Sequence, residues 1–120
     1  MIRILLVDDD PLLRVTIVMT LEAAGYQVVS ANEGAEALSI LDHDPAITLV
    51  LSDINMPGMD GTTFLSKVKE CYPSLPVIIL SVNSAWSWRP QMKAAGAQAY
   101  LPKPFTTQEL LHSVQSVLGE

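Results

Sequence analysis

Three short stretches carry residue types suited to holding a cation and handling a phosphoryl group. Asp8-Asp9-Asp10 follows the apolar run Ile2–Val7. Asp53 closes the β-branched, apolar run Ile47-Thr48-Leu49-Val50-Leu51-Ser52 and precedes Ile54-Asn55-Met56-Pro57-Gly58-Met59-Asp60-Gly61, dense in turn formers. Lys103 follows the last strand-like run. An ionised carboxylate is costly to bury unless something pairs with it. At the carboxyl end of a buried strand it instead faces a crevice mouth, where open α/β sheets bind ligands. Clustered carboxylates repel one another and so favour a cation, and a lysine offers phosphate a compact positive charge.

The elements that must position these residues are readable from periodicity and turn signals. Ile2–Val7 predicts a first strand, and Pro11 opens a helix at a position that suits proline. Leu12, Leu13, Val15, Thr16, Met19 and Leu21 recur at helical spacing up to Gly25, a C-terminal stop. Tyr26–Ser30 predicts strand two. Asn32 is placed to cap a second helix that ends before Pro45. Ile47–Ser52, Pro76–Ser81 and Gln98–Leu101 predict strands three to five. Thr62–Tyr72 predicts a third helix, and a fourth ends at Gly96. Thr106 or Thr107 starts a last helix through Leu111, Val114 and Leu118. Five β-α units in succession predict a parallel sheet with helices on both faces. Right-handed crossovers then bring every strand's carboxyl end to one edge. Asp8, Asp9, Asp53, Ser81 and Lys103 all fall at or just past such ends.

Length and composition narrow the classes. The chain has 120 residues, 49% of them hydrophobic, which suits a single domain over 1–120 with a full core and no output domain visible within it. No run approaches the roughly 20 apolar residues of a membrane span, and Met1-Ile2-Arg3 leads directly into a strand rather than a signal peptide. The net charge of −6, without a basic stripe, disfavours direct nucleic-acid binding. The lone Cys71 excludes an internal disulfide, suits a reducing cytoplasm, and reads as a small apolar helix residue. His43 and His112 lack partners at metal-ligand spacing and read as helix-surface residues.

Taken singly, each candidate has a plainer reading. Asp8-Asp9-Asp10 is a solvated turn capping helix one, with Asp10 the cap. Asp53 initiates the turn before Pro57-Gly58, Asp60-Gly61 is turn and cap chemistry, Ser81 a strand terminus and Lys103 a surface charge. Only the joint arrangement points to a site.

Leu6-Val7-Asp8-Asp9, Leu49 to Gly61, Val77-Ile78-Ile79-Leu80-Ser81, Gly96-Ala97 and Tyr100-Leu101-Pro102-Lys103-Pro104-Phe105 together resemble the receiver (response regulator, CheY-like) domain of bacterial two-component signalling, along the whole chain. The resemblance implies a three-layer α/β/α sandwich: a five-stranded parallel sheet of flavodoxin-like order 2-1-3-4-5 with five helices. It implies a cytoplasmic phosphoacceptor switch rather than a turnover enzyme. The donor is a histidine kinase or histidine phosphotransfer domain, and Asp53 takes the phosphoryl group. Mg2+ (or Mn2+) is held by Asp9, by Asp8 through water, by Asp53 and by the backbone carbonyl of Asn55, all hard oxygen donors. Ser81 and Lys103 bind the phosphoryl oxygens. The loop from Ser81 to Trp88 and the switch aromatic Tyr100 carry the signal. It reaches an output domain or partner protein on the face of the fourth helix, fifth strand and last helix, and a dimer on phosphorylation is compatible with this. A cis Lys103–Pro104 bond is usual in such domains. Tyr100 otherwise reads as an edge-strand aromatic with a wet hydroxyl.

The chain departs from the family at Val82, where a smaller residue is usual, and at Trp86-Ser87-Trp88-Arg89-Pro90. Pro90 predicts a fourth helix that starts there or kinks there. Trp86 and Trp88 are either packing residues of an irregular loop or an exposed partner patch. Asn55 and Asn83, at positions that tune dephosphorylation, either orient an attacking water or occlude it. Two other classes compete. One is a phosphorylation-independent adaptor of the same fold, which the intact acids, Ser81 and Lys103 argue against. The other is a haloacid-dehalogenase-type phosphatase, which usually needs Asp-x-Asp where this chain has Asp53 followed by Asn55. A flavin-binding module would need a phosphate-cradling loop after Val7, where this chain has acids.

Overall fold

The β-branched runs become strands and the proline- and glycine-punctuated segments between them become helices. A computed structural model of the chain describes residues 2–54, 58–59, 61–81 and 93–119. In chain order the elements are β1 (Arg3–Val7), α1 (Pro11–Ala23), β2 (Gln27–Ala31), α2 (Gly34–His43), β3 (Ile47–Asp53), α3 (Gly61–Cys71), β4 (Val77–Ser81), β5 (Ala99–Pro102) and α4 (Thr107–Leu118). The strands form one sheet in the order β2-β1-β3-β4-β5, every pairing parallel. This is the order the family resemblance implies. Of the expected helix ending at Gly96, Lys93 and Ala94 are helical and Gly96 takes φ 105°, as a helix stop requires. The remainder, with Val82, Asn83, Trp86, Trp88 and Pro90, lies outside the described residues, as does Asn55. Four complete helices are therefore seen among the described residues where five are expected.

The nearly unbroken apolar strands are explained by a sheet covered on both faces. Leu5, Val7, Val50, Val77 and Ile79 point to one core, packed with Ala37, Leu41, Phe64, Leu65 and Val68 of α2 and α3. Ile4, Leu6, Leu49, Leu51, Ile78 and Leu80 point to the other, packed with Ile17, Leu21, Leu110 and Val114 of α1 and α4. Successive residues alternate between the two because side chains of a strand leave on opposite faces.

Local signals set the helix ends. Asp10 caps α1, its carboxylate accepting from the N–H groups of Leu12 and Leu13 at 3.1 and 3.4 Å, with Pro11 in the first turn. Thr106 and Glu109 form a reciprocal capping box at α4. Asn32 and Cys71 depart from expectation. Asn32 does not cap α2: the cap position is Glu33, without a side-chain bond, and the Asn32 N–H donates to Glu36 Oε1 at 2.7 Å. The apolar repeat of α1, helical as expected, divides between core and solvent. Ile17 and Leu21 are buried, whereas Leu12, Val15 and Met19 are exposed, because the helix carries two apolar rows on different faces. Cys71 is exposed at the end of α3, not packed. His43 and His112 are surface residues as expected.

Candidate functional site

The strand order reverses beside β1: β2 lies on one side of it, β3 on the other. That switch point is where doubly wound sheets open a crevice at the carboxyl ends of their strands. Register then sets the side chains abreast. Val7 pairs with Ser52, Asp53 with Leu80, and Ser81 with Pro102. Asp8, Asp53, Ser81 and Lys103 consequently stand in a row across the sheet edge. Asp8 continues the alternate row Ile4–Leu6 and Asp53 the row Leu49–Leu51, so both leave the sheet toward the α1–α4 face.

Backbone bonds hold this row in place. The Asp8 N–H donates to Ala31 O at 3.2 Å, Ile54 N–H to Leu80 O at 3.1 Å and Lys103 N–H to Ser81 O at 2.7 Å. The Lys103–Pro104 bond is cis. Gly61, read from sequence only as turn and cap chemistry, has a sharper role. Its N–H donates to Ile54 O at 2.7 Å, and a Cβ there would lie 2.5 Å from Ile54 Cα and 2.9 Å from Asp53 O. Glycine alone lets α3 begin against the backbone that carries Asp53.

The Lys103 ammonium donates to Asp53 Oδ2 at 3.1 Å and to Asp8 Oδ2 at 3.3 Å. Asp8 is fully buried, Asp53 nearly so, Ser81 fully buried, and Asp9 exposed. Carboxylate oxygens of Asp8, Asp9 and Asp53 all lie within 4.8 Å of one another. Three carboxylates against one ammonium leave the cluster two charges negative, and its hard oxygen donors suit a divalent cation that keeps several waters. The donor set therefore fits Mg2+. Tyr100 is half-buried on β5, paired in register with Ile79.

Burial raises the pKa of Asp8 above its ordinary 3.8, with the Asp53 charge adding to the rise; the Asp10 N–H bond (2.8 Å) and Lys103 work against it. The folded state thus holds the Asp8 proton more tightly than the unfolded chain. Its stabilising contribution is complete below the unfolded value and is lost as pH rises through the raised folded value. Above the unfolded value, the buried Asp8 carboxyl therefore costs the metal-free domain stability. Asp8→Asn accordingly raises the Tm of the metal-free domain by several degrees at pH 7, where about 1 kcal/mol corresponds to roughly 4–6 °C at this size. It removes any stabilisation by Mg2+. Thermal melts with and without Mg2+ check both halves, and a lower metal-free Tm would contradict the sign.

A parallel sheet of order 2-1-3-4-5 with three acids and a lysine at its switch point defines a class, the response regulator receiver domains, and the chain belongs to that family, which it matches over residues 4–115. It is a phosphoacceptor switch domain of two-component signalling. Among its relatives, the response regulator MprA of Mycobacterium leprae is 39% identical over 116 residues, covering 97% of this chain and 50% of that protein. FleR of Pseudomonas aeruginosa is 38% identical, covering 98% of this chain and 25% of that protein. The chain thus spans about half the length of the first and a quarter of the second. Among solved structures, the chemotaxis protein CheY4 of Vibrio cholerae superposes with a TM-score of 0.91 at 34% identity, covering 98% of each chain. The CheY of a CheX–CheY–BeF3–Mg2+ complex from Borrelia burgdorferi gives 0.92 at 29% identity, covering 98% of this chain and 89% of that one.

Proposed function

We propose that Asp53 is the phosphoacceptor of this receiver domain, with Lys103 and Ser81 as phosphoryl-binding groups and Asp8, Asp9 and Asp53 as the holders of Mg2+ or Mn2+. The observation that carries the reading is the shared ammonium: one Lys103 nitrogen contacts the two buried carboxylates at 3.1 and 3.3 Å. When bound, the cation supplies neutralisation of charge on the transferred oxygens. A carboxylate oxygen of Asp53 attacks phosphorus, the bond from phosphorus to the donor's histidine nitrogen breaks, and an acyl phosphate forms. Lys103 holds the Asp53 carboxylate in place beforehand and meets the incoming oxygens afterwards. The low exposure of Asp8 and Asp53 keeps bulk water from the reacting atoms and strengthens each charge interaction. Asn55 would add its carbonyl to the cation site as the family resemblance implies. Incubating the wild-type domain with a small acyl phosphate tests the reading: intact mass gains one phosphoryl group with Mg2+ and none with a chelator. Labelling indifferent to Mg2+ would refute it.

We read the chain as one receiver domain taking its phosphoryl group from a histidine kinase or phosphotransfer domain and passing a signal through Ser81 and Tyr100 to an output partner. No helix among the described residues is long and apolar enough to cross a membrane. The exposed row on α1, with Leu12 78%, Val15 55% and Met19 66% accessible, supports a docking face for the donor. It starts in the turn directly after the acids, so a partner presenting its histidine to Asp53 covers it. Val15→Glu should slow transfer from the histidine donor about tenfold, the effect of losing about 1.4 kcal/mol of docking energy. Labelling by a small acyl phosphate should be unchanged. Comparing the two donors with one variant checks this, and equal losses would place the fault in the pocket.

A further inference from the structure

We infer that Arg14 is a positioning residue of the cation pocket, clamping the Asp8–Asp9 loop to the turn after β2. The inference rests on reading Asp8, Asp9 and Asp53 as the divalent-cation site. Arg14 lies in the first turns of α1, half-buried. Its Nη1 donates to the main-chain carbonyl of Asp8 at 3.4 Å and to Asn32 Oδ1. Asn32 is in turn oriented by its N–H bond to Glu36 Oε1 at 2.7 Å. The Asp8 N–H is meanwhile held by Ala31 O at 3.2 Å. The Asp8 residue is thus tied through its N–H to the end of β2 and, by way of Arg14, through its carbonyl to Asn32 in the turn that follows.

The guanidinium stands beside a carboxylate cluster, yet among the described residues it forms no ion pair. Its bonds go to a carbonyl and an amide oxygen, while the Asp8 carboxylate is satisfied by Asp10 N–H and Lys103. Arg14 therefore acts on geometry rather than by neutralising the acids. Asp53 is fixed by β3, but exposed Asp9 sits on a loop and depends on the tethers of its neighbour Asp8. Groups that orient metal ligands from behind are commonly worth 10–100-fold in affinity.

The two possible roles of Arg14 predict opposite signs. A neutralising cation weakens Mg2+ binding, so its removal would tighten it. A clamp strengthens binding, so its removal weakens it. We expect Arg14→Ala to raise the Mg2+ dissociation constant about tenfold by calorimetry, at the low end of such orienting effects. Asn32→Ala, an exposed change that keeps the charge of Arg14, should raise it roughly threefold. The double variant should be no weaker than Arg14→Ala alone, because the residues act as one unit. In the metal-free protein, hydrogen exchange of the Asp10 amide should rise about tenfold in Arg14→Ala while amides of β3 and β4 keep their protection, a local opening rather than global loss of stability. Unchanged or tighter Mg2+ binding in Arg14→Ala, with a normal wild-type response, overturns the clamp alone. If Arg14→Ala does not fold, an unchanged dissociation constant in Asn32→Ala does the same. A wild-type domain without any Mg2+ response overturns the pocket reading, and the clamp with it.

Discussion

The Asp53→Asn domain takes up no phosphoryl group from a small acyl phosphate under conditions that fully label the wild type with Mg2+. An amide has the shape of the carboxylate but not its nucleophilic charge, so chemistry is lost while the end of β3 keeps its backbone bonds from Ile54 and Gly61. The neighbouring acids are poor substitutes. Asp8 is fully buried and committed to Asp10 N–H and Lys103, and Asp9 lies outside the buried row that Lys103 serves. Folding should not suffer, since one of two carboxylates competing for Lys103 becomes neutral. The expected outcome is a folded, unlabelled protein by circular dichroism and intact mass. Stoichiometric, Mg2+-dependent labelling of this variant would sink the assignment of Asp53.

How much of this was legible in advance depended on whether the signal was local. The succession of strands and helices, and the gathering of Asp8, Asp53 and Lys103, followed from apolar runs ending in charge, a pattern carried by neighbouring residues, whereas the strand order came from the family resemblance. Boundaries shifted by one residue where the pairing register, not propensity, ended the element: β3 runs on to Asp53 because Asp53 pairs with Leu80. What was not legible arises from contacts distant in sequence. Asn32 has the right chemistry for a cap but is engaged by Arg14, 18 residues away. Gly61 resembles any turn glycine until the chain brings it against Ile54 and Asp53. The two apolar rows of α1 overlap in spacing, so periodicity could not tell the core row, Ile17 and Leu21, from the exposed row of Leu12, Val15 and Met19. Arg14 gave no signal because one of its partners is a main-chain carbonyl, which carries no residue type.

Lys103→Met is expected to produce the largest loss of stability in the metal-free domain and the largest recovery on adding Mg2+. The wild-type ammonium stands within 3.3 Å of two buried carboxylates, and its own side chain is only 12% exposed. Removing one partner of a buried pair leaves an uncompensated charge, which costs about 3–5 kcal/mol when fully desolvated. Partial access of solvent to Lys103 and Asp53 lowers the expected cost to about 2–4 kcal/mol by screening. Asp8 and Asp53 then repel each other across the site without an intervening cation. The same deletion makes the pocket one charge more negative, so a divalent cation binds it more tightly. Because a ligand that binds only the folded state stabilises it by about 2.7 kcal/mol at a hundred times its dissociation constant, the Mg2+-induced rise in Tm should be larger in Lys103→Met than in the wild type. Labelling by a small acyl phosphate should fall at least tenfold even with Mg2+ saturating, since the cation replaces the charge but not the contact to the incoming oxygens. Melts across an Mg2+ series, paired with labelling rates, separate the two effects. A variant as stable as the wild type without metal, with the same Mg2+ response, would return Lys103 to an ordinary surface charge, and with it the electrostatic logic by which the two buried acids are kept ready for a phosphoryl group.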